Sequence, residues 1–304
     1  MSAPQADPFA LDAGSVSRAF DRASADYDAA AALQARVREE LLGRLEPFQL
    51  EPLVVLDLGA GTGHACRELV RRYRKARVVA LDIAPGMLRQ ARRRSGLFRR
   101  FVCLCADARR LPLRDASVGL VFSSLMLQWC DDLAAVLAEV RRVLAPDGFF
   151  GFASFGPDTL HELRAAWAAV DDGAHVHRFL DVHDVGDALT RAGFSEPVLD
   201  VERIELEYPD VGALTHDLKA IGAHNAMASR RRGLTGKGRW RAMTAAYEPF
   251  RRRGALPASY EVVYGAAWGS LGASHAAHAA HAPGLARGEA VITPDAIRRP
   301  GSRR

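Results

Sequence analysis

Val54-Val55-Leu56-Asp57-Leu58-Gly59-Ala60-Gly61-Thr62-Gly63 is the stretch whose reading decides the fold. A short valine and leucine run behind Pro52 predicts a buried parallel strand, and the glycines predict a tight turn into a helix starting near His64. A strand, turn and helix in that order form a ligand cradle. Glycine at Gly59, Gly61 and Gly63 is expected to leave the backbone open to a ligand, while the helix start directs free N–H groups at the same spot. The dinucleotide fingerprint G-x-G-x-x-G fails in both registers, with His64 or Cys66 in the third glycine position. No Gly-Lys-Ser/Thr follows, so a triphosphate loop is also absent.

Two further carboxylates close predicted strands downstream. Arg77-Val78-Val79-Ala80-Leu81-Asp82 ends in an acid about twenty residues past the glycine turn, where open α/β sheets hold a ribose. Asp82 can accept from two ribose hydroxyls; as a strand-end residue it can instead cap the helix that Pro85 opens. Phe101-Val102-Cys103-Leu104-Cys105-Ala106-Asp107 then leads to Leu111-Pro112. The sequence Asp57 to Gly63, with these two aspartates in order, resembles motif I and its companions in the class I S-adenosylmethionine-dependent methyltransferases. That resemblance implies S-adenosylmethionine as cofactor, with Asp107 and Ala108 near its adenine. It also implies contacts from Arg18, Gln34, Asp57, Gly59, Ala60, Gly61, Asp82, Ile83, Met87, Ser123 and Leu125.

Composition bounds the alternatives. The chain has 304 residues, 49% hydrophobic and 25% charged, which suits a globular protein with a sizeable core. No apolar run is long enough for a membrane span, and residues 1 to 7 resemble neither a signal peptide nor an arginine-rich presequence, so a cytoplasmic location is expected. Cys66, Cys103, Cys105 and Cys130 lack zinc spacing and read as free thiols. A net charge of +5 and a pI near 9.3 suit an acidic partner.

In chain order, residues 1 to 14 read as a disordered lead, and lid helices occupy 15 to 46. Phe20, Ala23, Tyr27 and Gln34 resemble the lids of small-molecule methyltransferases, which implies that Tyr27 lies over the methyl donor; core packing is the simpler reading of Phe20 and Tyr27. Strands are expected at 53 to 58, 77 to 82, 101 to 105, 118 to 122 and 149 to 153, with helices at 64 to 74, 85 to 95 and 132 to 144 between them. A helix from Asp184 to Ala192 and strands at 198 to 206 and 260 to 264 complete the pattern. The fold class is therefore α/β, a doubly wound, seven-stranded, mostly parallel sheet of Rossmann-like type. The core runs from 47 to 207, an arginine-rich helical insert spans 210 to 257, the last strand lies in 258 to 268, and a disordered tail follows from Gly269. In that tail His275, His278 and His281 could ligate a metal only if helical, so no metal is assigned.

Beyond strand four, Ser123 to Asp131 lacks the Asn/Asp-Pro-Pro-Tyr/Phe pattern of nitrogen methylation, which argues against nucleic acid as acceptor. Leu127-Gln128-Trp129-Cys130, the run at Tyr208, Asp217-Leu218-Lys219-Ala220-Ile221-Gly222-Ala223-His224-Asn225, and Val263 to Trp268 resemble the family of malonyl-acyl carrier protein O-methyltransferases of biotin synthesis, over residues 16 to 268. The resemblance implies a monomer that methylates the free carboxyl of malonate on an acyl carrier protein or coenzyme A. Tyr27, Trp129, His224 and Asn225 are the candidates to hold the acceptor, and Lys219, Arg230, Arg231 and Arg232 to dock the acidic carrier. A methyltransferase-fold arginine hydroxylase, a small-acid or quinone-precursor methyltransferase, and a cofactor-binding module without turnover are the competing readings.

Overall fold

In a computed structural model, residues 11–96, 101–173, 175–223 and 236–270 are described. They form a seven-stranded sheet in the order β3-β2-β1-β4-β5-β7-β6. The strands are β1 (Val54–Leu58), β2 (Arg77–Asp82), β3 (Val102–Cys105), β4 (Val118–Ser124), β5 (Leu144–Phe155), β6 (Ser195–Tyr208) and β7 (Leu256–Trp268). The first five pair in parallel, and β7 runs antiparallel between β5 and β6. Because the chain winds outward from β1 to β3 and then returns to β4, the sheet switches direction between β1 and β4. That crevice is where open α/β sheets bind ligands.

Alternation along β1 builds both layers. Val55 faces one core with helices α3 (Ala32–Arg44), α4 (His64–Arg72) and α5 (Pro85–Arg94), while Leu56 and Leu58 face the other with α6 (Leu133–Val143) and α8 (Val182–Arg191). Asp57 shares the first face and is 1% exposed. The two-sided burial accounts for the continuous apolar runs of β1, β2 and β4.

The helix starts are chemically specified. Asp132, Asp181 and Asp210 each accept a backbone N–H of the first turn, capping α6, α8 and α9 (Val211–Ala220). Asp12 does the same for α1 (Ala13–Ala23), so ordered structure begins several residues before Val16. Helix α6 ends at Val143, ahead of Pro146, and the chain enters β5 at once: Leu144 pairs with Val118, and residues 145 to 148 loop out before Phe149 pairs with Leu120. Helix α7 (His161–Ala168) has no counterpart in the sequence reading. It is held from a distance, since buried Glu162 accepts from Ser259 N–H at 3.1 Å and Ser259 Oγ at 2.5 Å.

The insert holds α9, α10 (Lys237–Tyr247) and a 3-10 turn at Glu248–Phe250. Part of its positive charge is neutralised locally: Arg239 pairs with Asp171 at 2.6 Å and Arg251 with Glu248 at 2.8 Å. The described residues all fall in one compact unit, and residues 271–304, with the three tail histidines, lie outside the described residues. None of the four cysteines is in a disulfide. No helix among the described residues is long and apolar enough to cross a membrane.

Candidate cofactor and acceptor site

The crevice between β1 and β4 opens into a cavity that is partly open to solvent. Gly59 and Gly61 form its floor, Asp82, Ile83 and Met87 one wall, Asp107 and Ala108 another, and Leu125 and Trp129 the side toward β4. Phe20 of α1 and Tyr27 of α2 (Tyr27–Ala30) cover it, and Ser17 Oγ ties α1 down by donating to the Ile83 carbonyl at 3.0 Å.

The three glycines have three different tasks. Gly61 sits at φ +53° with nothing within 4 Å of where a Cβ would project, so its missing side chain leaves cradle space that a Cβ would fill. A Cβ on Gly59 would strike Met126 Cγ at 2.3 Å, and one on Gly63 would lie 2.9 Å from Ala91 Cβ. The expectation that all three expose backbone to a ligand is therefore corrected for Gly63, which lines neither space and makes room for Ala91 and Phe101; Gly59 lines the cavity and also leaves room for Met126.

Asp82 is pre-set by the same turn. Its Oδ2 accepts from Gly61 N–H at 2.9 Å and its Oδ1 from Ala84 N–H at 2.8 Å, leaving lone pairs toward the cavity. Both readings of this residue hold, since it braces the start of α5 and faces the cavity. Asp107 is partly exposed and receives a fork from Arg109, at 3.1 Å from Nε and 2.6 Å from Nη2. That side-chain hydrogen bond holds its carboxyl below the usual range.

A polar cleft joins the cavity across Gly59 and Gly61. Tyr27, Gln34, Asp57 and Ala60 line it. Gln34 Oε1 is buried without a hydrogen-bond partner, an orphan acceptor that a ligand's N–H group would satisfy. Burial pushes the Asp57 carboxyl up to about 7, against the hydrogen bond that Cys66 Sγ donates to it at 2.9 Å and with the added repulsion of Asp82. Burial also raises the Tyr27 phenol, reinforced by Asp82 and Asp28, so Tyr27 stays neutral. Open backbone at Gly61, two acceptors on Asp82 and an orphan amide oxygen beside a buried acid fit the hydroxyls and ammonium of S-adenosylmethionine.

Two expected cofactor contacts fall elsewhere. Arg18 is exposed and pairs with Asp12 at 3.4 Å, away from both spaces, because α1 turns its charged face to solvent. Ser123 is fully buried with its Oγ donating to the Leu58 carbonyl at 2.9 Å, so it joins β4 to β1, and the next residue, Ser124, lines the cavity. Lys219 lies in the last turn of α9. His224, Asn225, Arg230, Arg231 and Arg232 lie outside the described residues. Sequence reading missed Met126, Cys130 and Asp131 on the rim and Asp28 and Thr62 at the lid. Leu125 at φ +54° turns Met126 back over Gly59, and no periodic signal announces such a turn.

A methyltransferase-domain family model matches residues 56–152. A candidate methyltransferase from Bacillus halodurans C-125 superposes with a TM-score of 0.57 at 17% identity, over 77% of this chain and 99% of its own, which shows the fold. The sheet order, the glycine turn and the crevice at the switch point define a class I methyltransferase. Malonyl-[acyl-carrier protein] O-methyltransferase of Methylovorus sp. strain MP688 is 52% identical over 269 residues, and that of Halorhodospira halophila 53% over 268 residues; they cover 86% and 88% of this chain, and 91% of each relative is matched. The chain belongs to the malonyl-[acyl-carrier protein] O-methyltransferase family.

Proposed function

We propose that this protein transfers a methyl group from S-adenosylmethionine to the free carboxyl of malonyl-acyl carrier protein, giving the methyl ester that enters biotin synthesis. The observation that carries the reading is the cradle at Gly61 and Asp82 in a chain more than half identical to relatives of that name over nearly their whole length. The same identity favours carboxyl methylation over the hydroxylase and small-acid readings.

The cofactor supplies an electrophilic methyl group on a cationic sulfur, which takes back the bonding electron pair when the acceptor oxygen attacks in line. The protein's part is positioning. Asp82 would accept from the ribose hydroxyls, Ala108 and Leu125 would flank the base, and Gln34 and Asp57 would take the ammonium group. Tyr27, Phe20 and Trp129 keep water out of the cavity that they line. A carboxylate acceptor is ionised at neutral pH and needs no general base, in accord with a neutral Tyr27.

Lys219 and the expected cluster Arg230 to Arg232 are proposed to receive the acidic carrier, whose approach would then weaken with salt. Mass spectrometry of malonyl-acyl carrier protein incubated with enzyme and S-adenosylmethionine tests the reading, beside acetyl-acyl carrier protein, which lacks the free carboxyl. A methyl gain on the malonyl species alone supports it. No gain, with S-adenosylhomocysteine binding intact, rejects it.

A further inference from the structure

A row of rings runs from the lid past the ends of β4 and β5. Phe20 meets Trp129 edge-on at 5.1 Å, Trp129 meets His177 at 5.0 Å, His177 meets Phe179 at 4.5 Å, and Phe179 meets Phe155 at 5.7 Å. His177 interrupts this otherwise indole and phenyl series with a polar ring. It is 8% exposed, and its Nε2 is buried with no hydrogen-bond partner. Folded proteins seldom leave such an atom unsatisfied, because it has lost water and gained nothing in return.

The same histidine lines a second cavity, which shares Leu11, Cys130 and Asp131 with the cofactor cavity. Gln128, Ser154, Asp131 and Arg178 also line it; the first two are engaged with each other and with backbone, and Asp131 Oδ1 accepts from Leu11 N–H at 3.0 Å. Gln128 Nε2 donates to the Leu125 carbonyl at 2.8 Å, and Ser154 Oγ donates to Gln128 Oε1 at 3.3 Å. Trp129 thus lines the space suited to the cofactor and packs on His177, which lines the second space with its Nε2 uncommitted.

We propose that this second cavity is the acceptor subsite and that His177, as its Nε2–H tautomer, donates a hydrogen bond to an oxygen of the malonyl carboxylate. The inference rests on the carboxyl-methylation reading and adds to it the residue that orients the acceptor. A neutral donor suits this task. Burial, with Arg164 nearby, pushes the imidazole down to about 4, so the ring carries no charge at neutral pH. A cation would hold the carboxylate most tightly before transfer and lose that attraction as the ester forms, whereas a neutral donor loses less. The apolar part of the cavity lining, with Leu127, Leu133, Phe152 and Phe179, also suits an uncharged thioester arm, which a flat polar surface would not sequester from water.

The test compares wild type, His177→Phe and His177→Gln in steady-state assays with malonyl-acyl carrier protein and with malonyl-CoA, alongside calorimetric binding of S-adenosylhomocysteine. H177F keeps a planar ring and removes the donor; H177Q restores an N–H. The expected result is a KM for both malonyl substrates raised about tenfold or more in H177F, partly recovered in H177Q, with S-adenosylhomocysteine affinity within about twofold of wild type. Unchanged KM in H177F with an active wild type overturns this inference alone. Loss of S-adenosylhomocysteine binding in both variants also overturns it, since His177 would then support the cofactor cavity. An inactive wild type that still binds S-adenosylhomocysteine defeats the methylation reading, and this inference with it.

Discussion

Asp28, on the lid helix α2, accepts a 2.7 Å hydrogen bond from Thr62 Oγ1 in the glycine turn. Arg94 from α5 pairs with the same carboxylate and also donates to the Thr62 carbonyl at 2.7 Å, and His64 Nε2 lies 3.3 Å away. Burial acts against the charged form, but the Thr62 and Arg94 hydrogen bonds outweigh it and hold Asp28 below the ordinary carboxylate range. The lid is thus latched to the cradle it covers. Asp28→Ala is expected to speed S-adenosylhomocysteine dissociation about three- to tenfold in stopped-flow fluorescence, while thermal stability falls by no more than about 1 kcal/mol, since the pair is partly exposed.

The glycines separate binding from stability. Gly61→Ala places a Cβ in open cradle space at a left-handed φ; about 1 kcal/mol of backbone cost and a clear loss of S-adenosylhomocysteine affinity are expected, with the fold kept. Gly63→Ala, also at positive φ, drives its Cβ against Ala91 and Phe101 and is expected to cost about 2 kcal/mol or more in urea unfolding. Paired denaturation and calorimetry on the two variants check the contrast.

Asp57 links stability to pH. Its folded-state carboxyl lies near 7, above the unfolded value of about 3.9, so the native state favours the protonated form. The stabilisation that this gives is complete below pH 4 and is lost as pH rises toward 7. Asp57→Asn keeps an acceptor for Cys66 and removes the ionisation. In differential scanning calorimetry without ligand, D57N should match wild type below about pH 4 and melt higher at pH 8, by about 2–4 °C for each kcal/mol of relieved burial.

Glu162 anchors α7 to β7 through Ser259, 97 positions away in sequence, and is 2% exposed. Removing it strands a backbone N–H and a hydroxyl in the interior. Glu162→Ala should cost about 2–4 kcal/mol in urea unfolding, and Glu162→Gln less, because the amide oxygen can still accept from one of them.

The seven strands, most of the helices and the three strand-end acids were legible in the chain, because each rests on a local rule. Apolar runs mark strands buried on both faces, glycine marks the turn, and aspartate marks helix starts. Helix α7 was not legible. Its defining contact joins Glu162 to Ser259 across the sheet, and its own segment carries no strong period. Arg18 and Ser123 match family positions in sequence, yet one turns to solvent and the other bonds β4 to β1.

The amino-acid order by itself determined the fold class and the presence of a glycine turn followed by acids at strand ends. Tertiary structure alone decided that the sheet switches direction between β1 and β4, that Gly61 is the glycine whose Cβ position is empty, that Asp57 is buried against Cys66, and that Trp129 and His177 share a row of rings. The reason is physical: period and turn chemistry act between neighbours along the chain. Burial, charge and hydrogen-bond satisfaction at a site are set by residues dozens of positions apart that meet only when the sheet closes.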